Sequence, residues 1–158
     1  MKNIAPPRES TVIVDPFANT SKYANITNDL DPAMPTMFHM DATDFLKQLK
    51  SHSADVVLYD PPYSPRQVSE SYKRLNMSVN MSTTQASYWS QQKTEIGRIV
   101  KPGGIAISFG WNSGGIGKKH GFEILEILLV AHGGQHNDTI CVVERKICPN
   151  LSYSTEVK

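Results

Sequence analysis

A four-residue segment, Asp60-Pro61-Pro62-Tyr63, combines groups that could act together on an amino nitrogen. It directly follows the apolar stretch 54–59, and a proline at that position would end a strand. The carboxylate of Asp60 and the carbonyl of Pro61 could accept the two hydrogens of the amino group, which favours the tetrahedral nitrogen that develops during attack. The two prolines would hold that carbonyl rigidly. Tyr63 would offer an aromatic face to a planar acceptor.

This segment resembles motif IV of the amino-methyltransferases of nucleic acids, which reads Asp/Asn/Ser-Pro-Pro-aromatic at the end of the fourth strand. The resemblance extends over nearly the whole chain, from Asp15 to Lys146. The short chain is similar to the compact members of the family found in phages and prophages. It implies a Rossmann-like methyltransferase sheet and S-adenosyl-L-methionine as the methyl donor. It also implies an adenine-specific, site-specific DNA methyltransferase in which the motif IV residues are catalytic and Tyr63 stacks on a flipped base.

The segment after the first predicted strand resembles the family's motif I, Asp-Pro-Phe-x-Gly-x-Gly, in its first three residues. The resemblance implies that four residues here bind the cofactor: Asp15, Phe17, Ala18 and Asn19. Asp15 is expected to attract the ammonium group of the cofactor. Other residues replace the glycines of the family pattern, and Asn19 is expected to supply the turn because asparagine tolerates a positive φ.

Two further pairs resemble the other cofactor motifs of the family. Asp29 with Leu30 resembles motif II, in which the acid that ends the second strand binds both ribose hydroxyls and the next residue flanks the adenine ring. We prefer Asp29 to Asp31 because it lies nearer the strand. Asp41 with Ala42 resembles motif III, in which the acid accepts the amino hydrogen of the cofactor.

Strand-like and helix-like segments alternate along the chain. The predicted strands are 11–14, 25–28, 37–40, 54–59, 105–109, 123–131 and 139–144, and the predicted helices are 44–52 and 84–100. This order predicts an α/β fold with an open, mostly parallel sheet and a C-terminal antiparallel hairpin. Such sheets bind ligands beyond the carboxyl ends of their strands, so the acids that end four strands are expected on one rim.

The connections that follow the first two strands are too short for helices. Parallel neighbours need about a dozen connecting residues to include a helix, and residues 18–28 and 32–38 offer fewer outside the strands. One face of the sheet should therefore carry reduced helices. Because an exposed apolar face usually marks an interface, we expect a homodimer or a partner subunit.

Length and composition predict a single methyltransferase domain over residues 1–158, with a core of about 10–147 and no separate target-recognition domain. The apolar stretches are shorter than a membrane span, so we expect a cytoplasmic protein that does not bind membranes. The histidines and the two cysteines lack the spacing of a metal site, and no metal is expected.

The formal net charge is +1, so any contact with DNA depends on local basic patches. Residues 64–83 are interpreted as a loop that could follow a phosphate backbone and stack a base. Four of its residues are the candidates for DNA binding: Arg66, Tyr72, Lys73 and Arg74. Residues 118–120 form a second basic patch, expected near the same strand ends.

Two alternatives stay open at this point. The same chemistry could serve RNA or a protein amide, because related motif IV sequences act on those amino groups. The altered motif I also suggests a different class of protein, a catalytically silent subunit that binds the cofactor or serves as a scaffold.

Overall fold

The computed structural model describes residues 11–78, 86–134 and 137–148. In this part of the chain seven strands form one sheet with the order β3-β2-β1-β4-β5-β7-β6. The strands are β1 Ile13–Asp15, β2 Ile26–Asp29, β3 Phe38–His39, β4 Ala54–Tyr59, β5 Val100–Gly110, β6 Phe122–Val130 and β7 Thr139–Lys146. The helices are α1 Ala42–Gln48, α2 Pro65–Arg74 and α3 Ala86–Ile99, and a short 3-10 turn spans Lys118–His120.

The first five strands pair in parallel, and β7 pairs antiparallel with both β5 and β6. The predicted α/β fold and its C-terminal hairpin are therefore confirmed. β7 is inserted between β5 and β6, so β6 runs in the direction of the parallel strands and forms the edge of the sheet. The antiparallel strand thus lies one place inside the edge.

Helices α1 and α3 pack together on one face of the sheet. Phe45 and Leu46 from α1 and Ile96 and Ile99 from α3 are fully buried against β1, β4 and β5. In the described residues no helix lies between β1 and β2 or between β2 and β3, which confirms the predicted reduction. None of the described helices is both long and apolar enough to cross a bilayer.

The other face of the sheet carries apolar residues that stay partly exposed. Val56 and Leu58 of β4 lie beside Ile105 and Ile107 of β5, and all four are only partly buried. Their neighbours in sequence, such as Val57 and Ala106, point to the helix-covered face and are fully buried. This alternation is the normal two-residue period of a strand.

The interpretation of residues 64–83 as a loop is wrong in its first half, which forms α2. Ser64 caps the helix by accepting the Gln67 N–H at 3.3 Å, and Pro65 occupies the first helical position. A serine followed by proline is a helix-start signal, because proline has no N–H to leave unpaired and its φ already suits a helix. Residues 75–78 follow the helix without forming a further helix or strand, and residues 79–83 lie outside the described residues.

β5 is longer than predicted because the expected turn at residues 101–104 belongs to the strand. The pairing with β4 shifts between Ala54 and Val56, and Gly104 lies at this irregularity. A Cβ on Gly104 would come within 3.0 Å of the Asp55 carbonyl oxygen and closer still to Val100. Only glycine permits this approach, so residues 101–104 form a bulge at the start of β5.

Candidate functional site

A cavity of about 550 Å³ opens beyond the carboxyl ends of β1, β2 and β4. Asp29, Asp41 and Asp60 line it. Asp15 lies just beneath, close enough for the charges of Asp60 and Asp29 to act on it. The structure therefore brings the four predicted acids to one rim.

The acids of this rim have no cationic partner within residues 11–78, 86–134 and 137–148. In the described residues, the ion pairs all involve other carboxylates, and none includes any of these four acids. Burial, together with the charges of Asp60 and Asp29, raises the pKa of Asp15 to about 6, although a hydrogen bond from Phe17 N–H opposes the shift. The rim is thus a predominantly negative site, in which none of the four acids is paired with a cation of the described residues, and it suits a cationic ligand.

The turn after β1 is built from the residues predicted for motif I. Phe17 N–H donates to Asp15 Oδ1 at 3.0 Å, and the Phe17 ring meets Tyr59 edge-on at 6.0 Å. Asn19 has φ 49°, as predicted, and supplies the left-handed turn that a glycine would otherwise make. Ala18 is buried and donates its N–H to the Asn28 carbonyl. Phe17 and Asn19 line the cavity, whereas Ala18 and Asp15 support it from below.

Asp29 joins the turns that follow β1 and β2. Its Oδ2 accepts the Asn19 N–H at 3.0 Å, and its Oδ1 accepts the Asp31 N–H at 2.9 Å. Leu30 lines the cavity and packs against the cluster formed by α2 and α3. Asp31 also lines the cavity, but its own carboxylate accepts the Ala33 N–H. Asp29 is therefore the acid at the strand end, as predicted, and each of its oxygens already accepts one hydrogen bond.

Asp41 caps α1 and contacts α2. Its Oδ1 accepts the N–H groups of Thr43 and Asp44 at 2.8 and 3.3 Å. Its Oδ2 accepts the hydroxyl of Tyr72 at 2.5 Å. Ala42 is buried in the first turn of α1 and lines the cavity. The acid predicted to bind the cofactor thus also ties α2 to the rim.

The motif IV segment leaves two acceptors open. Asp60 is exposed at the cavity mouth, and its Oδ1 accepts the Tyr63 hydroxyl at 2.5 Å. Neither Asp60 Oδ2 nor the Pro61 carbonyl receives a hydrogen bond from the described residues. The Pro62 carbonyl accepts the indole N–H of Trp89 at 2.9 Å. Nearby protein displaces water from Asp60 and raises its pKa, while the Tyr63 hydrogen bond lowers it.

A second cavity, of about 430 Å³, lies on the other side of motif IV. Pro61 and Tyr63 line both cavities, so the motif forms their common wall. The lining of the second cavity is rich in aromatic residues, which are Tyr59, Tyr63, Trp89, Phe109 and Trp111. Trp111 meets the Tyr63 ring edge-on at 5.4 Å and is partly exposed.

Two polar groups also line this second cavity. Burial lowers the pKa of Lys93, and its ammonium makes no hydrogen bond or ion pair with the described residues. Ser108 Oγ is buried without a hydrogen-bond partner in the same part of the chain. A cavity with aromatic walls and two unpaired polar groups suits a flat, partly polar ring.

The four residues predicted to bind DNA have different environments. Arg66, Lys73 and Arg74 are exposed on α2, and Arg66 forms an ion pair with Glu70 at 2.7 Å. Tyr72 is buried, because its ring packs with Val68 and Tyr88 and its hydroxyl binds Asp41. The expectation that Tyr72 stacks a base is therefore corrected. It belongs to the contact that holds α2 on the cavity.

The second basic patch is also corrected. Lys118, Lys119 and His120 precede β6 and lie beside the C-terminal end of α3, where Lys146 Nζ binds the carbonyls of Gly97 and His120. This is the amino-end rim of the parallel strands, opposite the cavities. The crossover segment between β5 and β6 returns from the carboxyl ends to the amino ends of the parallel strands before β6 begins. This path places the patch far from the cavities.

Sequence reasoning missed several residues that build the site. Asn28 is fully buried and joins three strand ends: its Nδ2 donates to the carbonyls of Pro16 and Met40, and its Oδ1 accepts the Met40 N–H. A polar residue just before the acid of a buried strand was the available signal. Trp89, Lys93 and Ser108 gave no local signal, because only the packing of α3 on the sheet brings them to motif IV.

No protein-family model and no curated protein sequence matches this chain. Solved structures resemble it in fold. 1,6-Didemethyltoxoflavin-N1-methyltransferase from Burkholderia thailandensis, with bound 1,6-didemethyltoxoflavin and S-adenosylhomocysteine, gives a TM-score of 0.57 at 10% identity over 87% of this chain and 71% of that chain. A SAM-dependent methyltransferase from Methanosarcina mazei gives 0.54 at 10% identity over 89% of this chain and 94% of that chain. TrmN from Thermus thermophilus gives a TM-score of 0.54 at 15% identity over 87% of this chain and 44% of that chain. The chain therefore has a Rossmann-like methyltransferase fold.

Proposed function

We propose that this chain is an S-adenosyl-L-methionine-dependent methyltransferase that acts on an exocyclic amino group, with N6 of adenine in DNA as the favoured acceptor. The observation that carries the proposal is the common wall between two cavities. One cavity is acidic and the other aromatic; Pro61 lines both, the preceding Asp60 lines the acidic one, and both residues have open acceptor atoms. A two-substrate transfer needs this arrangement, because both reactants must meet at the same few atoms.

The acidic cavity fits the charge of the proposed cofactor. S-adenosyl-L-methionine carries a sulfonium and an ammonium, and the rim offers carboxylates without cationic partners in the described residues. Asp15 and Asp29 would hold the ammonium and the ribose, and Leu30 would contact the adenine ring. The positive φ of Asn19 keeps the turn that family members make with glycine, so the altered motif I does not exclude binding. When bound, the cofactor supplies an electrophilic methyl group.

The acceptor would enter the aromatic cavity. Tyr63 and Trp111 would contact the faces or edges of its ring, and Asp60 Oδ2 with the Pro61 carbonyl would accept the two amino hydrogens. These hydrogen bonds strengthen as the nitrogen becomes tetrahedral, so they stabilise the transition state more than the bound substrate. No acid or base of the chain has to move a proton before attack, because the amino group of adenine is already neutral.

Exposed basic residues on α2 support a nucleic acid as the carrier of the acceptor. Arg66, Lys73 and Arg74 lie on the helix that directly follows motif IV, and Arg74 also lines the acidic cavity. They could contact phosphates on either side of a flipped nucleotide. Because Arg66 is paired with Glu70, Lys73 and Arg74 are the stronger candidates.

The direct test is methyl transfer from labelled cofactor to a panel of acceptors, followed by nucleoside analysis. The panel contains double-stranded DNA, single-stranded DNA, RNA and a protein mixture. Label in N6-methyl-2′-deoxyadenosine from DNA supports the proposal. Label found only in RNA or protein would mean that the same chemistry serves another acceptor. Calorimetry with the cofactor adds the distinction from a silent subunit: binding of the cofactor without transfer to any acceptor in the panel would indicate a subunit that binds the cofactor but does not catalyse. Absence of both binding and transfer would overturn the proposal.

A further inference from the structure

The edge strand β6 has the composition of a strand from the middle of a sheet. It is nine residues long and ends the sheet next to β7. Its apolar side chains are largely exposed, with Ile127 at 51%, Leu128 at 54% and Leu129 at 62%. A strand buried on both faces reads as a nearly continuous apolar run, whereas an edge strand normally alternates or carries charges.

In the second half of β6, residues 127–130, both faces are apolar. Ile127 lies opposite Val142 and Leu129 opposite Ile140, on the face that α3 covers farther along the sheet. Leu128 lies opposite Cys141 and Val130 opposite Thr139, on the other face. Burying one face of the sheet would therefore leave half of these side chains in water. Only a neighbour along the edge reaches both faces at once.

The backbone of this edge lacks the usual protection. Natural edge strands are kept apart by lysine, proline or short length, and residues 122–130 contain no lysine, arginine or proline. The irregular pairing between Ile124 and Glu126 affects only the first half of the strand. The second half, 127–130, presents regular backbone groups and four apolar side chains.

We propose that β6 pairs with β6 of a second copy, antiparallel about a two-fold axis, to form a continuous sheet across a homodimer. The charges of the strand allow this pairing, because Glu123 and Glu126 are both in its first half. With the axis at Leu128, each Glu126 lies opposite the partner subunit's Val130 and the carboxylates stay apart. A symmetric contact of this kind uses the same surface twice.

The ends of this chain fit the edge less well than a second copy does. Cys148 lies against Gly103 of β5, on the side of β7 away from β6. The last described residue therefore lies on the far side of β7 from the edge. At the other end, residue 11 enters beside β1, which is four places from β6 in the sheet. At about 4.8 Å per strand this is roughly 19 Å away.

The pairing determines how the two active sites face. A two-fold axis perpendicular to the sheet reverses the strand direction, so the cavities of the two copies lie at opposite ends of the continuous sheet. Each copy would meet its acceptor alone. The dimer is thus independent of the proposed reaction, and its test does not rely on activity.

Multi-angle light scattering of the full chain from about 1 to 100 µM tests the proposal. The expected mass rises to twice 17.6 kDa. Leu129→Lys should return the mass to that of one chain with an unchanged far-UV circular dichroism spectrum, because it places a charge on the pairing edge. Tyr23→Lys is the matched control, since Tyr23 is 85% exposed and far from β6, and it should remain dimeric.

Further measurements keep the proposal falsifiable if Leu129→Lys does not fold. Leu128→Lys changes the opposite face of the same edge and should give the same monomer. Hydrogen exchange of the unaltered protein should show amides of β6 that are slow at high concentration and fast at low concentration. A mass of 17.6 kDa at every concentration, a folded dimer of Leu129→Lys, or a monomer produced by removing residues 149–158 overturns the pairing.

Discussion

The hydroxyl of Tyr63 donates a hydrogen bond of 2.5 Å to Asp60 Oδ1, three residues earlier in the same turn. The bond engages the carboxylate that we assign to the acceptor nitrogen and lowers the pKa of that carboxylate against the effect of burial. It also fixes the Tyr63 ring beside Trp111. One phenol thus both tunes the acceptor acid and shapes the acceptor cavity.

Tyr63→Phe separates these two roles. Phenylalanine keeps the ring, but loss of the hydrogen bond lets the pKa of Asp60 rise further. Because the ionised carboxylate is the acceptor, the acidic limb of the kcat/KM profile should move to higher pH, while activity at pH 8 changes by only a few fold. Tyr63→Ala should lose activity at every pH, by roughly tenfold or more, because a stacked ring contributes about 1 to 3 kcal/mol. An unshifted acidic limb in Tyr63→Phe would contradict the role of Asp60.

Asp60→Ala should reduce kcat by about a hundredfold or more, as expected for one group that stabilises the transition state. Cofactor affinity measured by calorimetry should change by less than about threefold, because Asp15 and Asp29, which we assign to the ammonium and the ribose of the cofactor, are unchanged. Asp44→Ala is the control, since Asp44 is an exposed acid on α1 whose carboxylate pairs with Lys47. Retention of more than about a tenth of the activity in Asp60→Ala would remove it from the mechanism.

Asp29→Ala should weaken cofactor binding by roughly tenfold to a hundredfold, the range for losing hydrogen bonds to a charged acceptor. Asp29 would bind the ribose and also fixes the Asn19 and Asp31 backbones. Asp31→Ala should have a smaller effect, because its carboxylate serves only a local turn. Equal dissociation constants for the two variants would refute the assignment of Asp29.

Asp15→Asn should stabilise the free protein above pH 6 and weaken cofactor binding. The folded pKa of about 6 exceeds the ordinary value of 3.8, so folding becomes less favourable as pH rises between these values. Asparagine does not ionise, so Asp15→Asn removes the cost of holding a buried charge. The substitution should raise the unfolding free energy by at most about 2 to 3 kcal/mol. Thermal unfolding at pH 4 and pH 7.5 measures it, and we expect a higher Tm for the variant only at pH 7.5. A stabilisation equal at both pH values would show that the charge of Asp15 is not the cause.

Glu144→Ala should lower the unfolding free energy by about 2 to 4 kcal/mol. Glu144 is fully buried and accepts the N–H groups of Ile116 and Gly117 at 2.5 and 2.9 Å, and both donors would lose their partner. Glu123→Ala is the control, because its ion pair with Arg145 is exposed and should contribute less than about 1 kcal/mol. Urea unfolding compares the two. A loss no larger than that of the control would mean that the crossover does not depend on Glu144.

Local patterns predicted the elements that carry the chemistry. β4 was predicted with its correct bounds, because an apolar run before Asp60-Pro61 has only one simple interpretation. The convergence of the acids followed from the geometry of parallel strands. Asn19 was predicted at positive φ from the residue type alone.

The rest depended on contacts between segments that are distant in sequence. The Tyr72 hydroxyl meets Asp41 across 31 positions, so nothing local revealed that Tyr72 is buried. The position of Lys118 and Lys119 depended on the path of the crossover, which Glu144 holds from β7. The helix α2 was the exception, because Ser64 and Pro65 gave a local signal that the loop interpretation overlooked.

The common wall formed by Pro61 and Tyr63 limits how this molecule can change its acceptor. A substitution in that wall alters both cavities, so a gain for a new acceptor would come with a loss for the cofactor. Residues that touch only the acceptor side, such as Ser108, Trp111 and Asn112, are free of this conflict. Diversification or engineering toward new amino groups should therefore concentrate on the end of β5 and the segment after it, with motif IV left unchanged.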